Sequence, residues 1–241
     1  MAARVRLVVN ADDFGFTRDV NRGIVEAHAR GILTATTLMA TGAAFDDALQ
    51  LARENPTLDV GVHCVLVGAP GQPATVSQFL RALVAGRVNV YAELRAQVER
   101  VVAAGLRPTH LDTHKHTHIL PPVLAAVARL AEEFGIRWVR RPMLPGAGRI
   151  LSRRGCRTTD HFRGFALTGR FTADDLVRVI RGLKAGSTEF MCHPGYCTDE
   201  LRSARTRLKE NREQELRALT APEVRAELAA RGVELCSYAE L

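Results

Sequence analysis

Short β-branched runs alternate along this chain with stretches whose apolar residues recur every three to four positions. The first pattern predicts strands over 5–9, 34–40, 59–65, 109–113, 136–140, 189–192 and 232–237. The second predicts helices over 19–30, 45–54, 76–85, 91–104, 121–134 and 174–184, with Pro121-Pro122 suited to a first helical turn. Strand–helix repetition with loops of ordinary length is the signature of a parallel α/β fold. Roughly seven or eight strands favour an irregular, TIM-barrel-like (β/α) barrel over an open doubly wound sheet. The least regular stretch, 142–170, holds Gly146, Gly148, Gly155, Gly164 and Gly169 and is either an active-site loop or a disguised β/α unit. No linker composition divides the chain, so residues 1–241 are expected to form a single domain.

Composition narrows the partners. The formal charge of +7 invites a nucleic-acid reading, but all the basic residues except Lys115, Lys184 and Lys209 are arginines, a skew typical of a GC-rich genome. There is no basic–aromatic stripe for base stacking, and nucleic acid is not an expected partner. The densest basic stretch, 202–217, interleaves Glu210, Glu213 and Glu215 at helical spacing, which suits a solvated helix face. An odd number of cysteines (Cys64, Cys156, Cys192, Cys197 and Cys236), with no C-x-x-C pair, fits a reducing cytoplasm. No apolar run is long enough for a membrane span, and Arg4 and Arg6 interrupt any signal-peptide core.

The chemistry lies behind the strands. Asp12 and Asp13 follow the first, His63 ends the third, His114 follows 109–113 and His193 follows 189–192. These are carboxyl-terminal strand ends, the rim on which a parallel barrel builds its active site. Alternation along a strand turns His110, Asp112 and His114 to one face. The same rule turns Cys64, beside His63, and Cys192, beside His193, to the opposite, buried side. One carboxylate and two imidazoles with open positions suit a divalent ion that activates water. The second aspartate is then free to act as a base, and spacing alone permits either order.

Asn10-Ala11-Asp12-Asp13-Phe14-Gly15, Gly61-Val62-His63, the run from Pro108 to His118 and Met191-Cys192-His193-Pro194-Gly195 resemble the YdjC-type carbohydrate deacetylases. That group includes chitooligosaccharide and hopanoid-cluster deacetylases. Gly31 to Thr37 is similar to the family's second strand, and the likeness spans most of the chain in order and spacing. The resemblance implies an irregular (β/α) barrel that removes the acetyl group from an N-acetylated sugar, and a homodimer is the assembly it suggests. It implies Asp13, His63 and His114 as ligands to one divalent metal ion, Mg2+ or Zn2+, with Co2+ or Ni2+ also compatible. It implies Asp12 as general base and His193 as the acid that protonates the departing amine. Asp112 is expected to orient a ligand imidazole. His116 and His118 match the family's Asp-x-His-x-His-x-His run without a fixed role.

Arg141, after the fifth strand, is a candidate for holding a substrate hydroxyl or anionic group. Phe162 and Trp138 are candidates for a pyranose wall, with core packing the plainer reading. Two rival classes stand beside the deacetylase. One is another metallohydrolase, an amidohydrolase or phosphoesterase, although an amidohydrolase carries H-x-H on its first strand where this chain has Asp-Asp. The other is a catalytically silent sugar-binding protein, for which a retained base and acid would have no use.

Overall fold

β1 (Val5–Phe14) is the axis of the sheet, and the computed structural model describes residues 4–241. Then follow α1 (Arg18–Arg30), β2 (Ala35–Leu38), α2 (Phe45–Glu54), β3 (Asp59–Cys64), α3 (Val76–Val84), α4 (Val90–Ala103), β4 (His110–Thr113), α5 (Pro121–Glu133) and β5 (Trp138–Val139). The second half runs through α6 (Ala147–Ser152), β6 (His161–Arg163), α7 (Ala173–Arg181), β7 (Gly186–Cys192), α8 (Asp199–Ser203), α9 (Asn211–Leu219), α10 (Pro222–Arg231) and β8 (Glu234–Leu235).

All the named strand pairs are parallel, in the order β5-β4-β3-β2-β1-β7-β6. β7 lies along β1 from Val5 to Ala11. The other edge of β1 is shared: β8 takes Arg6 and Leu7, and β2 takes Asn10 to Phe14. β5 and β6, the two ends, are not paired; a lone parallel bridge from Trp138 to Arg157 leads toward the gap between them. This is the expected (β/α) barrel, irregular because the ring does not close.

Local sequence explains the helix starts. Thr17 accepts the Val20 N–H at the head of α1, and Thr172 and Asp175 form a reciprocal capping box at the head of α7. Pro residues open α5 and α10. The stretch 142–170 resolves into α6, the short β6 and a 3-10 turn at Phe165–Leu167, and so contains a disguised β/α unit. β1 runs on through Asp12 and Asp13 to Phe14, so the aspartates belong to the strand end rather than following it. The expected solvated face in 202–217 is corrected: α9 buries Arg212 and Glu215 almost completely. Among the described residues no helix is long and apolar enough to cross a membrane.

Alternation decides what lines the barrel. Val9 and Ala11, Val62 and Cys64, Leu111, Val139, Phe190 and Cys192 join the apolar layer beneath the helices. The opposite parity faces the lumen: Asn10 and Asp12, Thr37, Gly61 and His63, His110 and Asp112, Trp138 and Arg140, and Glu189. The lumen is floored by Trp138 and Tyr238, with the Tyr238 ring stacked 4.0 Å from His110. Space there is tight at Gly61, where a Cβ would come within 2.4 Å of the His110 carbonyl oxygen and 2.7 Å of its ring. Gly61→Ala is therefore expected to lower stability by about 1–3 kcal/mol in urea unfolding, the usual cost of forcing extra volume into a packed interior.

Candidate functional site

At the centre of the lumen lies the Arg140 guanidinium, 1% exposed. It grips Asp12 with two nitrogens at 2.6 and 2.8 Å, Asp112 at 2.7 Å and Glu189 through Nε at 2.7 Å. One cation thus ties together residues from β1, β4 and β7. Asn10 continues the network, donating to Asp12 Oδ1 at 3.3 Å and meeting His110 Nε2 at 2.9 Å. Burial pushes the Asp12 carboxyl up, but the charge and hydrogen bonds of Arg140, with His63 and His193, hold it far below the usual carboxylate range. Burial wins at Glu189, which is raised despite Arg140.

Asp13 should face the opposite side from Asp12 by parity, yet it joins the same mouth. Its φ of 70° leaves the extended region and turns the side chain over the rim. There Oδ2 accepts from Arg212 Nη2 of α9 at 2.5 Å, while Oδ1 lies 3.4 Å from His63 Nε2 and 3.2 Å from His114 Nδ1. Burial would raise the Asp13 pKa; Arg212 and the two imidazoles outweigh it and hold the carboxylate well below its ordinary range.

His63 is held from behind. Its Nδ1 lies 2.6 Å from Asp112 Oδ1 and 3.2 Å from Thr37 Oγ1, which leaves Nε2 facing Asp13 and His114. A carboxylate behind an imidazole is the usual backing of a metal ligand. The pocket demands positive charge: burial lowers the His63 pKa, but Asp112, Asp13 and Asp12 together push it up to about 10.

Ligand atoms of Asp13, His63 and His114 lie within 4.8 Å of one another. Asp12, His63 and Asp112 form a second such set, but Arg140 already occupies both of its aspartates. Asp13 Oδ1, by contrast, is buried without a hydrogen-bond partner among the described residues. An orphaned carboxylate oxygen between two imidazoles, in a pocket rich in negative charge, fits a divalent cation.

His193 stands across the mouth, its Nε2 3.8 Å from Asp12 Oδ2. Burial lowers its pKa to about 4 against the pull of Asp12 and Asp13, so the ring is neutral near pH 7. Its backbone N–H donates to Glu215 Oε2 at 2.5 Å, and Glu215 Oε1 accepts from Gly169 N at 2.6 Å. One helix, α9, thereby fastens Asp13, His193 and the 169 turn. Composition could have flagged neither Arg212 nor Glu215, which stand in a helix beyond the strand pattern.

The other expected residues are placed as follows. Asp112 backs His63. His118 is buried, its Nδ1 2.7 Å from Thr113 Oγ1. His116 sits over the mouth in left-handed backbone, φ 52°. Arg141 is exposed and donates to the Thr159 carbonyl at 3.1 Å, so it lies outside this cluster; the lumen arginine is its neighbour Arg140. Parity held the signal, because Arg140 shares a face with inward Trp138 and Arg141 does not. Trp138 is core and Phe162 half-buried beside Arg140. Cys64 and Cys192 are fully buried.

A curled parallel barrel with a carboxylate–imidazole centre at its carboxyl rim defines the class. The family model described as YdjC-like protein matches residues 6–230, and the chain belongs to that family. A carbohydrate deacetylase of Geobacillus stearothermophilus is 40% identical over 244 residues, covering 97% of this chain and 96% of that protein. One from Brevibacillus brevis is 36% identical over 254 residues, covering 98% and 100%. A crystal structure from Enterococcus faecalis, of a protein named for cellobiose-phosphate cleavage, superposes with TM-score 0.85 at 27% identity over 99% of both chains.

Two outcomes are expected from the buried charges. Arg140→Met strands three carboxylates and should cost about 3–5 kcal/mol in urea unfolding, the range for breaking a buried ion pair. Glu215 is pushed up from 4.5 to about 7 by burial, against the pull of its two N–H donors and Arg212. The unfolded chain releases this proton near pH 4.5 while the folded one keeps it until about 7, so this group lowers stability progressively across that window and by a constant amount above it. Glu215→Gln, although less stable at every pH for want of a second acceptor, should flatten that slope in urea midpoints measured across the window.

Proposed function

We propose that this protein is a divalent-metal-dependent deacetylase that hydrolyses the acetamido group of an N-acetylated sugar, an N-acetylglucosamine-containing oligosaccharide or glycoconjugate, and releases acetate. The observation that carries this reading is the unpartnered Asp13 Oδ1 between His63 Nε2 and His114 Nδ1, beside a separately clamped Asp12. The family's named carbohydrate deacetylases supply the substrate class.

Asp13, His63 and His114 would hold the ion, Mg2+ or Zn2+. Such an ion supplies Lewis acidity, polarising an acetyl carbonyl and acidifying a water. The chain's own residues do the rest. Asp12 stays ionised across the working range and takes the attacking water's proton on Oδ2, the oxygen that faces His193. Arg140 fixes the aim of that carboxylate and also makes it a weak base, which gives the proton up readily. The proton that Asp12 takes from the water then crosses to Nε2 of His193, neutral at rest and 3.8 Å from Asp12 Oδ2, and His193 passes it on to the amide nitrogen, so that the C–N bond breaks and a free amine leaves with acetate. Asp112 and Thr37 keep Nδ1 of His63 occupied and its Nε2 turned to the site. The five cysteines are buried free thiols, which fits work in the cytoplasm.

An acetate-release screen over N-acetylglucosamine, its oligomers and other N-acetylated glycoconjugates tests the reading. Metal analysis should find about one divalent ion per chain, and chelation should abolish turnover; metal-free protein with full activity would overturn the mechanism. Asp12→Asn should keep the ion and lose roughly a hundredfold or more in kcat, the range for removing a general base. Asp13→Ala should lose the ion, and the reverse pattern would exchange the two roles.

A further inference from the structure

Beside this centre stands an aromatic pair that the hydrolysis itself does not use. Phe162, on β6, is paired in register with Glu189 and so faces the lumen, its ring centroid 5.5 Å from the Arg140 guanidinium carbon. Three residues on, Phe165 rises onto the rim and is 50% exposed. Both rings turn an edge-on contact to His116, at 5.9 Å for Phe162 and 5.0 Å for Phe165, with the Phe165 planes 77° apart.

The backbone is shaped to hold Phe165 there. Gly164 has φ of 100°, and a Cβ on it would come within 2.2 Å of the Met191 carbonyl oxygen, so the chain hugs β7 just before the ring. The 3-10 turn that follows is closed by Leu167 N–H to the Gly164 carbonyl at 2.8 Å and Thr168 Oγ1 to the Phe165 carbonyl at 2.9 Å. Its far end is gripped by α9, through Asn211 to the Gly169 carbonyl and Glu215 to the Gly169 N–H. A half-exposed phenyl ring on so firmly tied a turn is a preorganised surface.

His116 completes the arrangement. It and Lys115 both adopt left-handed backbone, an unfavourable conformation for residues with a Cβ. Its Nδ1 is buried and has no hydrogen-bond partner among the described residues. An apolar face beside a half-buried imidazole matches a pyranose, whose axial C–H bonds form an apolar side and whose hydroxyls ring the edge.

We propose that Phe165 and His116 form the sugar subsite of this centre, Phe165 stacking on the C–H face of a pyranose while the half-buried His116 imidazole hydrogen-bonds one of its hydroxyls through Nε2, the ring nitrogen opposite the sealed Nδ1. Phe165 is then a residue that determines substrate preference, selecting a ring with an unobstructed axial C–H face, such as that of an all-equatorial, gluco-configured sugar. The proposal rests on the deacetylase reading for its reaction but not for its ligand.

The test uses the full chain and a β-linked N-acetylglucosamine disaccharide. Phe165→Ala should raise KM about three- to tenfold, the order expected for losing one aromatic stacking contact. Its kcat should stay within about twofold and its thermal midpoint near wild type, because a half-exposed ring contributes little to the core. Phe165→Trp should restore KM. It also adds an exposed indole to a chain whose own single Trp138 is buried, so its emission should shift to the blue when the disaccharide is titrated in. An unchanged KM in Phe165→Ala, a loss confined to kcat, or a change in oligomeric state with KM intact would overturn the proposal, the last by making the ring an interface residue. Should wild type release no acetate from any sugar, the deacetylase reading falls, and the indole titration still decides the subsite: saturable binding upholds it and silence removes it.

Discussion

One buried guanidinium organises this barrel. Arg140 sits where three strands would otherwise bring together carboxylates with nothing to balance them, and it binds Asp12, Asp112 and Glu189 at once. Each of those acids has a further task or position: Asp12 faces His193, Asp112 backs His63, and Glu189 underlies Phe162 in register. The clamp therefore fixes the geometry of the mouth as a unit. It also explains why a lumen with so many ionisable groups is tolerated, since a buried charge is retained only when it is paired and hydrogen-bonded. Arg140 does not balance the pocket completely, however. Asp112, with Asp13 and Asp12, still surrounds His63 with negative charge and pushes its pKa up against burial.

The second constraint is in the backbone. Adjacent residues on a strand face opposite ways, so a continuous β1 would send only one of Asp12 and Asp13 into the mouth. The chain breaks the rule at Asp13, and it pays in conformational strain. Among the described residues only Asp13, Lys115 and His116 combine a side chain with left-handed φ, and all three lie at this rim. Strain gathered at one place, where the surrounding contacts over-determine it, is what a functional site produces. Arg212 supplies the over-determination at Asp13, reaching in from α9 to hold the displaced carboxylate.

Much of this was legible in the sequence, for a physical reason. Strand alternation and the placing of Asp12, His63, Asp112, His114 and His193 at strand ends are local properties, and the barrel follows from the repetition of strands and helices. The same alternation, applied to the fifth strand, selects Arg140 over Arg141, since Trp138 marks the inward face. What the pattern could not carry was long-range. Arg212 and Glu215 reach the site by burying two charged residues of a helix that looks solvated when its charges are merely counted. Their partners, Asp13 and the His193 backbone, lie 199 and 22 residues away. The glycine-rich stretch 142–170 was opaque for the opposite reason: its strand is three residues long, too short for periodicity to register, although it brings Phe162 and Phe165 to the site.

The two aspartates, finally, are separated by their neighbours rather than by their own chemistry. Both are buried, and both are driven far below the ordinary carboxylate range against the push of burial. Acidity alone does not distinguish them. Their oxygens do. Asp12 has both oxygens engaged by Arg140, which aims it and leaves the second lone pair of Oδ2, the oxygen nearest His193, to take a proton. Asp13 has one oxygen engaged by Arg212 and one left over between two imidazoles. A base needs a fixed direction and one free lone pair, a ligand needs an oxygen with no competing donor, and two arginines, one just after β5 and one on α9, confer one arrangement on each. Adjacency makes that division possible here, since a single turn of φ at Asp13 brings neighbours of opposite parity into one mouth and hands them to different partners.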